Sequence, residues 1–142
     1  MIHRVFVYGT LKEGFPNFHA NHGVRVPGEF VTVHAYPLYV IGACHVPWLV
    51  DRAGEGHPVR GQVFEVDDAG LATMDELELV DQPGWYLRAT IPVRRYPEDG
   101  GEPLRAFVYF GDAQRLREAA VHLGPIPEYR PDHAVRYRDG EL

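Results

Sequence analysis

Val5-Phe6-Val7-Tyr8-Gly9-Thr10-Leu11-Lys12 is a β-branched and aromatic run that passes at once into a glycine-bracketed loop ending at Gly14. A continuous apolar run of this kind suits a strand buried on both faces. Gly9 and Gly14 admit backbone angles and close approaches that a Cβ forbids. Successive amide N–H groups in such a turn can line a concave nest for an anion or a developing oxyanion. The pattern alone leaves two readings open, a ligand-binding loop and a plain tight turn after a core strand. The spacing Gly9-x4-Gly14 is close to that of a Walker loop, but Phe15-Pro16 stand where such a loop needs Lys and then Ser or Thr to reach phosphate and magnesium. No GxGxxG occurs either, so a nucleotide-driven enzyme is not expected.

Around this stretch lies a chain of 142 residues, 45% of them hydrophobic, enough for one proper core and little more. One compact domain over residues 1–142 is the expectation. Twenty acidic residues against fourteen basic ones give a formal net charge of -6. That balance argues against nucleic acid and anionic membrane surfaces as partners and favours a small molecule. Cys44 is the only cysteine, so no intramolecular disulfide is possible. The start of the chain lacks the uninterrupted apolar region of a signal peptide, and no apolar run has the length of a membrane span. A cytoplasmic location is expected.

Short strands are read at residues 24–33, 36–41, 46–50, 59–66, 85–96 and 104–110, separated by scattered glycines and prolines. Asp67-Asp68 offer N-cap chemistry for a helix running to about Leu79, and residues 113–122 suit a second helix. Many strands with one or two helices predict an α+β fold, a small, mostly antiparallel β-barrel or curled sheet with the helices packed on its side or across one end. From about residue 124, Pro125, Pro127 and Pro131 exclude regular helix, and this irregular segment is expected to wrap the surface or a cavity rim.

Periodicity in the first helix exposes an acid on the wrong side. Leu71, Met74 and Leu77 define an apolar arc, and Glu78, seven residues after Leu71 and four after Met74, projects inside it. A carboxylate facing the core is costly unless it is hydrogen-bonded or opens into a cavity. Burial also raises its pKa toward neutrality, as a general base and acid working near pH 7 requires. Two readings stand, a proton-transferring group and a structural ion pair with Arg88.

Together these residues resemble a known family. Val7-Tyr8-Gly9-Thr10-Leu11-Lys12, then Tyr36-Pro37-Leu38, Val46-Pro47-Trp48-Leu49, Gly61-Gln62-Val63-Phe64-Glu65-Val66 and Met74-Asp75-Glu76-Leu77-Glu78 look like the γ-glutamylcyclotransferase-like (AIG2-like) family, most similar to its γ-glutamylamine cyclotransferase branch. The resemblance covers most of residues 4–110. It implies a small β-barrel with helices and a γ-glutamyl substrate held at the glycine loop. Tyr8, Gly9, Thr10 and Leu11 match the family's substrate-binding loop, Glu78 its catalytic glutamate, and Tyr86 and Tyr109 positions of pocket-lining aromatics. The implied reaction uses no cofactor: the α-amine attacks the γ-carbonyl of the same molecule, releasing 5-oxoproline and an amine. Glu13 stands where relatives commonly carry a basic residue, and Ala43-Cys44 where a more acidic turn residue is common. Both departures bear on the leaving group. A non-catalytic protein that keeps the pocket for a small carboxylated ligand is the alternative.

Other constellations carry less. His19 and His22 have helical spacing but no third and fourth ligand, so no metal site is expected. Cys44-His45, read as strand neighbours, would face opposite ways and make a poor nucleophile and base pair. Trp48, Trp85, Tyr86 and Tyr109 lack the basic surround that base stacking needs, and belong to core and pocket wall.

Overall fold

The computed structural model describes residues 1–139. Strand β1 (His3–Val7) pairs antiparallel with β6 (His57–Val66) and parallel with β8 (Leu104–Gly111). β8 continues antiparallel to β7 (Tyr86–Tyr96), β7 to β3 (Glu29–Tyr36), and β3 back to β6, with the two-residue β2 (Val24–Arg25) further along the β6 edge. The sheet therefore curls round until β1 meets β6 as well as β8. A second, smaller sheet holds β5 (Val46–Leu49), β4 (Leu38–Ile41) and β9 (Val121–Leu123) in that order. The expected α+β fold with a curled, mostly antiparallel sheet is the one observed.

β1 is the strand that both halves of the core share. Its alternation sends Phe6, with Tyr8 just beyond it, into a cluster with Phe30, Val63, Val93, Val108 and Tyr129, and sends Val5 and Val7 into another with Trp48, Phe64, Met74 and Tyr109. Apolar side chains on both faces are what the unbroken run Val5-Phe6-Val7-Tyr8 anticipates.

Several boundaries differ from expectation. Residues 24–33 form two strands, because Gly28 turns the chain at φ +96 between β2 and β3. Pro37, which lacks an N–H, separates β3 from β4. Cys44 and His45 lie in the turn between β4 and β5, not on a strand. Helix α1 spans Asp68–Leu77, with the Asp67 carboxylate accepting from the Gly70 N–H at 2.7 Å, and packs Leu71 and Met74 into the core. Helix α2 is only Ala113–Glu118, and residues expected to prolong it form β9 instead.

The segment from residue 124 docks on the sheets without regular structure before the one-turn α3 (Pro131–Ala134). The Ile126 N–H donates to Leu38 O and the Arg60 N–H to Pro127 O, both at 2.9 Å. Lys12 is buried, donates from Nζ to Tyr129 O, and lies 4.2 Å from the Phe15 ring centroid; burial lowers its ammonium to about 8. No helix among the described residues is long and apolar enough to cross a membrane.

Candidate active site

The loop after β1 needs its two glycines for different reasons. Gly14 has φ +87, the left-handed region. Gly9 packs so tightly on β5 that a Cβ there would stand 2.8 Å from Pro47 Cγ. Lys12 N–H donates to Gly9 O (3.1 Å), Asn17 N–H to Thr10 O (2.8 Å) and Asn21 Nδ2 to Leu11 O (3.0 Å). The three carbonyls are thus engaged, whereas the N–H groups of Gly9, Thr10 and Leu11 donate to no protein group among the described residues. Asn17 Nδ2 further braces the loop by donating to Thr10 Oγ1 at 2.9 Å.

This loop borders a cavity that brings together Tyr8, Gly9, Thr10, Leu11, Glu78, Tyr86 and Tyr109, with Phe6, Val7 and Pro47 completing the wall. The three tyrosines are held as neutral donors whose protons are already committed. Tyr8 Oη donates to Tyr109 O (2.6 Å), Tyr86 Oη to Pro47 O (2.6 Å) and Tyr109 Oη to Asp75 Oδ1 (2.7 Å). Burial, first of all, raises each of the three phenols well above its ordinary value. Their remaining lone pairs can still accept a hydrogen bond.

Glu78 is the C-cap of α1, its N–H donating to Met74 O at 2.9 Å, and Leu79 leaves the helix in the left-handed region at φ 55. Arg88, the partner considered for Glu78, pairs instead with Asp75, one helical turn earlier. Arg88 and Tyr109 face each other across the β7–β8 ladder and both bond the Asp75 carboxylate. Asp75 thereby satisfies the arginine, and the Glu78 side chain makes no ion pair or hydrogen bond among the described residues. Burial pushes its carboxyl up to about 8. The negative end of the helix dipole acts in the same direction. Among the cavity walls, Glu78 is the group that can exchange a proton near neutrality.

Pro47, Asn17, Asp75 and Tyr137 were not singled out from the sequence as parts of this site. Pro47 is the closest thing to a legible signal, a proline inside an apolar run, which marks an edge strand, as β5 is in its sheet. Tyr137 Oη accepts from Asn17 Nδ2 at 2.9 Å and so reaches the binding loop from the far end of the chain. Among the described residues no cluster of His, Cys, Asp and Glu suits a metal ion.

The model of a family described as gamma-glutamyl cyclotransferase, AIG2-like, matches residues 5–128. A gamma-glutamylaminecyclotransferase of Mus musculus is 38% identical over 114 residues, covering 74% of this chain and 75% of the relative. One of Bos taurus is 36% identical over 144 residues, covering 96% and 82%. The crystal structure of an AIG2-like protein from Mus musculus superposes with a TM-score of 0.77 at 31% identity, covering 99% of this chain and 98% of that one.

Proposed function

The chain belongs to the AIG2-like γ-glutamyl cyclotransferase family, and within it we propose that Glu78 moves the protons of an intramolecular cyclisation that converts a γ-glutamyl amine into 5-oxoproline and a free amine. The Tyr8–Leu11 loop holds the γ-glutamyl group. Glu78 as carboxylate takes a proton from the substrate's α-ammonium, and the freed amine attacks the γ-carbonyl carbon to close a five-membered ring. Nucleophile and electrophile belong to one molecule, so positioning supplies much of the acceleration. The tetrahedral oxyanion is stabilised by the open N–H groups of the Gly9–Leu11 stretch, a contribution on the order of 3 kcal/mol per donor. Glu78, now protonated, returns the proton to the departing nitrogen as the C–N bond breaks, and the carboxylate so regenerated takes up the second proton that the ring nitrogen must lose to become the lactam N–H. Tyr86 and Tyr109 shape the wall and keep water out.

The observation that carries this assignment is the Glu78 carboxyl, unpaired among the described residues and pushed up to about 8, in the wall of the cavity that Gly9, Thr10 and Leu11 also border. A site that only bound an anionic ligand would gain nothing from another carboxylate there. With γ-glutamyl amines and dipeptides as substrates, Glu78→Gln is expected to lower kcat by about 10²–10⁴-fold with little change in KM. In the wild type, kcat/KM should rise as pH is brought up through about 8, where the carboxylate forms. Turnover by the variant within tenfold of wild type would remove Glu78 from the mechanism.

A further inference from the structure

The Asp75 carboxylate of α1 is shared by two donors from the neighbouring sheet. Arg88 of β7 binds Oδ2 and the Tyr109 hydroxyl of β8 donates to Oδ1 at 2.7 Å, so each oxygen has its own partner. The two donors are cross-strand neighbours, and the Arg88 guanidinium also rests 4.6 Å from the Phe107 ring centroid. The Tyr109 carbonyl accepts from Tyr8 Oη, which ties this cluster to the residue that opens the binding loop.

Glu78 stands three residues beyond Asp75, and side chains at that spacing are neighbours on a helix surface, roughly 5–6 Å apart at Cβ. The Tyr109 hydroxyl lies within electrostatic reach of Asp75, Glu78 and Arg88 together, so the four groups form one cluster. Tyr8, Tyr86 and Tyr137 also face Glu78, and Asp139 borders a space next to it. Burial, first of all, raises all four phenols above their ordinary value, so none of them titrates near neutrality. The cation of the cluster is Arg88, and its charge is spent on Asp75.

An arginine beside a carboxylate holds it in the charged form, and a phenol that donates to it does the same. Resting on the cyclotransferase reading for its purpose, we propose that Asp75 is a positioning residue, which takes up both Arg88 and Tyr109 and so keeps the neighbouring Glu78 carboxyl free to accept and return protons. It touches no reacting atom. With an amide in place of the Asp75 carboxylate, Oδ1 still accepts from Tyr109, but nothing compensates Arg88, and the guanidinium turns to the adjoining carboxylate, Glu78. The paired Glu78 is then charged throughout the neutral range and is a weaker base.

The test follows Glu78 itself, by its carboxyl NMR shift in the free protein, beside the pH profile of kcat/KM for 5-oxoproline release. In wild type both should turn at about 8. Asp75→Asn is expected to bring the midpoint down by about 1–3 pH units. Arg88→Met added to Asp75→Asn should carry it back to within about half a pH unit of wild type, because the cation that caused the fall is gone. The Asp75 and Arg88 side chains are 29% and 30% exposed, and pairs of that kind contribute little to stability, so Asp75→Asn is expected to fold. Asp75→Ser is a second route to the same readout. A midpoint within about 0.3 pH units of wild type in these Asp75 variants would overturn the proposal. A midpoint that stays low in the double variant would overturn it too, since the fall would then come from the lost Asp75 charge and not from Arg88. If no γ-glutamyl amine or dipeptide yields 5-oxoproline while the carboxyl midpoint moves as stated, the cyclotransferase reading falls and the positioning role of Asp75 stands.

Discussion

Burial raises the Glu78 carboxyl from an ordinary 4.5 to about 8 in the folded protein, so between those values the native state holds a proton that the unfolded chain has released. Stability therefore falls as pH rises across that window: this contribution is full below about 4.5 and is gone once pH has passed about 8. Glu78→Gln removes the penalty while keeping the shape. The variant should match wild type near pH 4 and exceed it at pH 9, on the order of 1–3 kcal/mol once the partial exposure of the side chain is discounted. Urea denaturation at the two pH values measures the difference, and equal stabilities at pH 9 would mean that the carboxylate is well solvated. Glu78 was legible from spacing, because an acid inside the Leu71-Met74-Leu77 arc has few harmless explanations. Its isolation was not legible. Asp75 and Glu78 are three residues apart on one helix, and only the cross-strand pairing of Arg88 with Tyr109 decides that both groups converge on Asp75.

Secondary-structure elements were readable where local chemistry sets them. Asp67 caps α1 as its side chain requires, and Pro37 and Gly28 mark strand breaks for covalent reasons. Residues 113–122 contain good helix formers, yet the helix stops at Glu118 because the following residues find partners elsewhere. Val121 and Leu123 pair with Ile41 and Val40 of β4, and the His122 ring stacks on His45 with centroids 4.0 Å apart. Ladder pairing with a distant strand outweighed local propensity. The binding loop shows the same dependence on a distant strand. Gly9 was readable as a special position, but the reason for it is Pro47 on β5. Gly9→Ala should cost about 1–3 kcal/mol by overpacking and shift the loop enough to reduce turnover. Pro47→Ala in the same chain should restore part of both. Thermal unfolding and 5-oxoproline release on the single and double variants check this, and a double variant no better than Gly9→Ala alone would show that the contact is not the cause.

The curled sheet as a class followed from many short strands and few helices, whereas its strand order did not. β1 joins β8 in parallel and β6 antiparallel, pairings between segments some sixty and a hundred residues away that no local pattern encodes. The arrival of the C-terminal segment at the site has the same origin. The bonds from Lys12 to Tyr129, from Arg60 to Pro127 and from Asn17 to Tyr137 are each side-chain or edge contacts made only once the sheet exists. That architecture also sets unequal lifetimes for neighbouring backbone protons. The amides of β1 lie in ladders on both sides, while those of Gly9, Thr10 and Leu11, one residue beyond it, have no protein acceptor among the described residues. In deuterium exchange the free protein should therefore show slow β1 amides followed abruptly by three fast ones. Saturating 5-oxoproline should slow those three selectively, so that the loop reports its own occupancy proton by proton; three amides equally fast with and without product would place the γ-glutamyl group elsewhere.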